Sequence, residues 1–174
     1  MTEQMNTLLD VRHLSVSFES YDAKLQKVIF TAVKDMSLTL EKGKILAIVG
    51  SSGSGKSLLA HAVMGIVPDN AKTGGTFYYK GEKLTKKKIE EIRGKKMAFI
   101  PQSISFLDPL MPVGEQVQGI QGKAVRELQE KLFKHFHLKE GTDKLYPFQL
   151  SGGMARRILL STALVGNSEL IIAD

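Results

Sequence analysis

Residues Gly50-Ser51-Ser52-Gly53-Ser54-Gly55-Lys56-Ser57 match the pattern G-x-x-x-x-G-K-[ST] at every fixed position. No other stretch constrains the fold as much, because the pattern works only where a buried strand enters a glycine-rich turn and a helix leaves it. Both flanks agree with that requirement. Lys44 to Val49 reads as a short buried strand of aliphatic and β-branched residues, and Leu58 to Val67 reads as a helix stopped by Pro68-Asp69-Asn70. Backbone N–H groups of such a turn, together with the helix N-terminus, form an anion site suited to the phosphates of a nucleoside triphosphate such as ATP. Gly50, Gly53 and Gly55 allow positive φ and close approach of the backbone, and Ser51, Ser52 and Ser54 complete the cradle. Lys56 is placed to reach the β- and γ-phosphate oxygens, and the Ser57 hydroxyl to ligate Mg²⁺.

The remaining sequence suits a single soluble domain. With 174 residues, 43% hydrophobic and 24% charged, the chain can bury a sizeable core and has no disordered composition. Its net charge of +6 is spread among acids except at Lys86-Lys87-Lys88 and Arg93-Gly94-Lys95-Lys96, which reads as solvated helix surface and not as a nucleic-acid patch. There is no cysteine, hence no disulfide framework and no thiolate metal site. Residues 1–7 lack the basic start and apolar core of a secretory signal, and no run reaches the roughly 18 apolar residues that span a bilayer. A membrane role would need another chain to supply the membrane part.

Along the chain, Leu8–Phe18 and Val28–Leu40 alternate as strands joined by a polar hairpin loop over 19–27, with Val33, Met36, Leu38 and Leu40 facing inward. A strand over Thr76–Tyr79, a short polar helix over Lys86–Arg93 and a buried strand over Lys96–Ile100 follow. Helical apolar spacing runs over Gly122–Leu138, with His135 and His137 facing different directions and forming no metal site. A further helix is expected over Gly153–Val165 and a last strand over Leu170–Asp174.

Leu150-Ser151-Gly152-Gly153-Met154 again sets a serine and two glycines at a helix N-terminus. In order, the phosphate loop, Pro101-Gln102 at a strand end, Leu-Ser-Gly-Gly-Met and Leu170-Ile-Ile-Ala-Asp174 resemble the ATP-binding cassette ATPases over nearly the whole chain. The resemblance implies an α/β phosphate-loop fold: a mainly parallel sheet with flanking helices, an N-terminal antiparallel β layer and a helical subdomain carrying the signature motif. On that reading 1–174 is one incomplete nucleotide-binding domain. Its β layer lies in 8–49 and 74–80, its core in 44–67, 96–102 and 166–174, and its helical part in about 103–165.

The same resemblance implies roles for single residues. Ser151, Gly152 and Gly153 would contact the γ-phosphate held by a partner subunit, so two nucleotides would be sandwiched in a head-to-tail dimer. Gln102 would sense Mg²⁺ or the attacking water and act with Lys56 in catalysis; Asp174 would hold Mg²⁺, usually through water. Phe18 would stack on adenine, with Tyr21 as second choice, and Arg157 would be the usual basic residue of the signature helix. Wording around Leu107-Asp108-Pro109-Leu110 and Tyr146-Pro147-Phe148-Gln149-Leu150 is similar to the ATP-binding subunits of dipeptide, oligopeptide and nickel importers. One departure is Arg156, where glutamine is more usual. Implied partners are a second ATPase subunit, with some preference for a heterodimer, transmembrane permeases at the cytoplasmic face of the membrane and, indirectly, an extracellular solute-binding protein, with no nucleic acid.

The family's catalytic glutamate follows the aspartate at position 174, so the chain reads as the first two-thirds of such a subunit, expected to bind ATP with weak or absent hydrolysis. Other classes remain in view. A soluble cassette ATPase of translation or DNA maintenance is one, though no long coiled coil separates the motifs. A GTPase or small-molecule kinase is another, but no Asn-Lys-x-Asp guanine reader is present. A non-catalytic nucleotide-binding protein is the last.

Overall fold

The computed structural model of the chain describes residues 6–174. Residues 1–5, part of the stretch read as lacking a secretory signal, lie outside the described residues. The chain divides into two units, Met1–Glu91 and Ile92–Asp174.

In the first unit β1 (Thr7–Tyr21) and β2 (Lys27–Glu41) form an antiparallel hairpin, and β3 (Ala71–Tyr79) pairs with the other side of β1. A short β4 (Glu82–Lys83) completes a sheet ordered β2-β1-β3-β4. The hairpin turn is tighter than the 19–27 loop expected from its polar composition. The Asp22 carboxylate accepts from the N–H groups of Lys24 at 2.8 Å and Gln26 at 2.9 Å, so one side chain supplies the acceptors that close the turn. Val11, Leu14, Val16, Val33 and Phe77 are buried.

Register shifts shape this sheet. Leu14 pairs with Met36, Val16 with Val33 and Phe18 with Phe30, so β2 carries an extra residue between each of these pairs. Directly opposed residues share a face, and the bulges therefore keep Met36, Val33 and Phe30 on one side despite their spacing in sequence. On the other edge of β1, His13 takes a positive φ of 53° where Arg12 pairs with Thr76 and Ser15 with Gly74. The His13 N–H donates to Ser37 Oγ at 2.9 Å, and its ring lies 3.1 Å from Asp35.

Glu19 on β1 ties the three long strands together, pairing with Lys27 of β2 at 2.7 Å and with Lys72 of β3. Hydrogen bonds from Lys27 and then Lys72 hold its carboxyl below the usual carboxylate range. A depressed folded-state value means that this contribution is present above the unfolded pKa and is lost as pH falls through the folded one. Glu19→Gln should therefore lower the melting temperature near neutral pH and converge with the unmodified chain only once pH has fallen through the depressed folded-state value. Melts across that range check it; a gap independent of pH would refute the assignment.

Two helices follow in this unit. Helix α1 (Lys56–Met64) ends earlier than the expected 58–67, because Gly65 adopts φ 64° and the N–H of Ile66 bonds back to the His61 carbonyl at 2.9 Å. Helix α2 (Lys86–Ile92) lies where the polar pattern puts it. Lys44–Val49 differs: no strand forms there, and Ile45 and Val49 are 98% and 92% exposed. Its composition favours a strand, but a strand exists only through pairing, and this segment has no ladder partner among the described residues.

In the second unit β5 (Met97–Ile100) pairs in parallel with β6 (Leu170–Ala173). Between them run α3 (Val113–Gln118), α4 (Arg126–His135) and α5 (Gly152–Leu164). The helix expected from Gly122 begins only at Arg126, since 119–125 is a 3₁₀ segment broken by Gly122 at φ 54°. Val113 and Val117 of α3, Phe133 of α4, and Ala155, Ile158 and Leu159 of α5 form one core. Among the described residues no helix is long and apolar enough to cross a membrane.

Candidate nucleotide site

In the first unit residues 50–55 make a closed turn ahead of α1, without the buried strand that the sequence pattern calls for before it. Residues 50–55 curl around the end of Lys56, whose ammonium donates to the carbonyls of Gly50 at 2.9 Å and Ser51 at 2.7 Å and lies 3.4 Å from Ser54 Oγ. The Ser54 N–H closes the turn onto the Ser51 carbonyl at 3.3 Å. Two loop carbonyls thus grip the end of the lysine side chain and fix where it stands in the turn.

Helix α1 begins at that lysine. Its N-cap is Gly55 at φ 91°, no side chain caps it, and no acidic residue stands in its first turn. The positive end of the helix dipole therefore faces the loop with no side-chain cap and no first-turn carboxylate against it. A glycine is needed at 55 for two reasons: the left-handed φ, and a Cβ that would come within 2.7 Å of Val33 Cγ2 on β2. This contact packs the loop directly on the sheet face that also carries Phe18 and Phe30. Phe18 is half-buried, whereas Tyr21 at the hairpin end is exposed.

In the second unit, pairing sets the position of two expected site residues. Ile100 is aligned with Ala173, and the Asp174 N–H bonds to the Ile100 carbonyl at 3.0 Å. Gln102 and Asp174 thus leave the carboxyl ends of adjacent parallel strands, the edge at which open α/β sheets hold ligands. Both line a cleft of about 400 Å³ together with Arg156. A neighbouring cleft of about 500 Å³ is lined by Gln102, Ser103, Gly152, Gly153 and Arg156, so Gln102 borders both.

Ser151 is the N-cap of α5, and its side-chain oxygen accepts from the Met154 N–H at 3.3 Å. Gly152 and Gly153 are exposed, and a Cβ at Gly152 would meet nothing within 4 Å, which leaves the backbone open to close approach. Arg157, expected on the signature helix, turns to backbone carbonyls. Its guanidinium donates to Gly153 at 3.0 Å and Phe136 at 2.9 Å, fastening the start of α5 to the end of α4. Its spacing of four from Gly153 is the sequence sign of the first bond; nothing in the sequence points to the second.

A divalent cation is compatible with the groups present. In the first unit the Ser57 hydroxyl, at the start of α1, is a hard oxygen donor, and the described residues contain no cluster of three or more His, Cys, Asp or Glu that could hold a metal by itself. Mg²⁺ suits such sparse donors, since it keeps several waters and takes phosphate oxygens.

Comparisons with known proteins bear on the whole arrangement. A family model described as "ABC transporter" matches residues 33–174. The chain is 35% identical over its full length to the oligopeptide transport ATP-binding protein AmiE of Streptococcus pneumoniae, covering 52% of that protein. It is 33% identical over 98% of its length to OppD of Haemophilus influenzae, covering 55%, and 32% identical over 99% to OppD of Escherichia coli, covering 53%. The chain thus spans about half the length of these relatives.

Among solved structures, the dimeric bacterial ABC transporter cassette MJ0796 superposes with a TM-score of 0.78 at 26% identity, over 96% of this chain and 73% of that one. A post-hydrolysis state of MJ0796, bound to ADP and Pi, superposes with a TM-score of 0.77 at 26% identity, with the same coverage. With the family model matched over 33–174 and a cassette fold shared along nearly its whole length, the chain belongs to the ABC transporter family.

Proposed function

We propose that this chain is the nucleotide-binding part of a subunit that hydrolyses ATP to drive a peptide importer. The observation that carries the reading is the loop at 50–57, which holds the Lys56 ammonium on its own carbonyls beside an uncapped helix N-terminus. Such a cradle takes a polyphosphate through its backbone N–H groups and its single ammonium. The peptide class comes from the relatives named for oligopeptide transport.

Each residue then has a chemical task. Backbone N–H groups of the loop and the Lys56 ammonium bind the β- and γ-phosphates, and Ser57 offers its hydroxyl to Mg²⁺. When bound, that ion neutralises charge on the phosphate oxygens. Asp174 holds the cation's water shell, Gln102 orients the attacking water, and Ser151 with Gly152 and Gly153 addresses the nucleotide of a second ATP-binding subunit. Phe18 receives the adenine. Transmembrane permeases at the cytoplasmic face, served by an extracellular solute-binding protein, complete the machine.

Calorimetric titration with ATP and Mg²⁺ tests the reading. Binding in the micromolar range, weakened when Mg²⁺ is chelated, is expected. A folded chain that takes up neither ATP nor ADP would sink it.

A further inference from the structure

We infer that Phe30 of β2 is a second aromatic contact for the nucleotide base and favours purine over pyrimidine nucleotides. This rests on the proposed nucleotide site and adds a residue that the motifs do not mark. Sequence spacing hides it, because Phe30 and Val33 are three apart and an unbroken strand would point them to opposite faces. The bulge between them reverses that. Val16 pairs with Val33 and Phe18 with Phe30, and since Val16 and Phe18 share a face of β1, so do their partners on β2.

That face is the one on which the phosphate loop rests. Gly55 lies against Val33, so closely that a Cβ there would come within 2.7 Å of it. Phe30 stands one pleat further along, roughly 7 Å away by strand geometry. A nucleotide anchored by its phosphates at Gly55–Lys56 would carry its sugar past Val33 and its base toward Phe18 and Phe30. Phe18 is half-buried, but Phe30 is 65% exposed, which leaves a π face available beside it. Burying that ring against a planar base removes apolar surface from water and adds stacking, and a purine offers the larger face.

Phe30→Ala and Phe30→Trp distinguish base stacking from a purely structural role of the ring, using inorganic tripolyphosphate, ATP and UTP as titrants in Mg²⁺, with circular dichroism to confirm the fold. Phe30→Ala should weaken ATP roughly five- to tenfold and leave tripolyphosphate unchanged, since stacking acts on the base alone. It should also narrow the preference for ATP over UTP, and Phe30→Trp should keep ATP affinity within about twofold. Unchanged ATP affinity in a folded Phe30→Ala chain would overturn the inference and leave the ring to solvent or a protein partner. Equal weakening of ATP and tripolyphosphate would overturn it as well. If the unmodified chain binds tripolyphosphate but shows no gain from the base, Phe30 has no such role and the phosphate loop stands. If it binds neither, the nucleotide site itself fails and takes the inference with it.

Discussion

Lys56→Ala should weaken ATP binding by roughly two orders of magnitude while leaving the folded sheet and helices intact. Two losses combine. The ammonium is the charge at the loop that can meet the terminal phosphates, and a charge-assisted hydrogen bond of this kind is worth about 1.5–3 kcal/mol. The same group also organises the loop, by its bonds to the Gly50 and Ser51 carbonyls at 2.9 and 2.7 Å, so its removal sets those carbonyls free to turn toward an incoming anion and repel it. Lys56→Met, which keeps the stem and removes the charge, should behave like alanine. Lys56→Arg should recover little, because a planar fork does not fit where a compact ammonium is gripped by carbonyls. Titration calorimetry on the three variants decides the matter; a loss of less than about threefold in the alanine variant would show that the helix terminus carries the phosphates alone.

The largest effect on stability should come from Gly75→Ala, in a residue remote from the motifs. Gly75 has φ 99°, and a Cβ there would lie 2.7 Å from the carbonyl oxygens of both Arg12 and His13. These are backbone atoms of β1, the strand paired on both sides, so they cannot swing away as a side chain would. Backbone strain and overpacking together should cost about 3–5 kcal/mol. Gly74→Ala is the control. Its Cβ would meet only the Ser15 side chain, with Oγ at 2.5 Å, and a hydroxyl can rotate aside, so the loss should stay near about 1 kcal/mol. Urea unfolding of both variants measures the difference; equal midpoints would mean that β1 and β3 separate more easily than their pairing implies.

Gly53 and Gly55 with their positive φ, the serine before α5 and the apolar runs of β5 and β6 that stop just short of Gln102 and Asp174 are legible in the sequence as local chemistry, whereas Gly50 does not take the positive φ expected of it. Register is not legible. The two extra residues of β2 show only in its pairing with β1, and no residue pattern announces them, which is why Phe18 stands out in the sequence and Phe30 does not. Helix ends shift for related reasons. Pro68 reads as the stop for α1, but Gly65 ends it sooner by taking the left-handed conformation, and Gly122 interrupts a helix that its apolar spacing favours. Lys44–Val49 marks the limit of propensity: β-branched composition expresses a preference, and only a neighbouring strand can satisfy the backbone. Arg157 sits on the helix its spacing suggests, yet its bond to the Phe136 carbonyl depends on tertiary packing.

The parallel pairing of β5 with β6 has a bearing on how the molecule assembles. Met97 meets Leu170 across the ladder, so zipping these strands closes a loop of roughly seventy residues, at an entropic cost of about 4 kcal/mol before any contact repays it. Helices α3, α4 and α5 fill that loop and must collapse on one another for the strand ends to meet. Gln102 and Asp174 therefore become neighbours through high-contact-order closure, among the slower events of folding, whereas the phosphate loop and α1 are contiguous and form from local interactions. A refolding chain should acquire the polyphosphate cradle before the edge that carries its glutamine and aspartate.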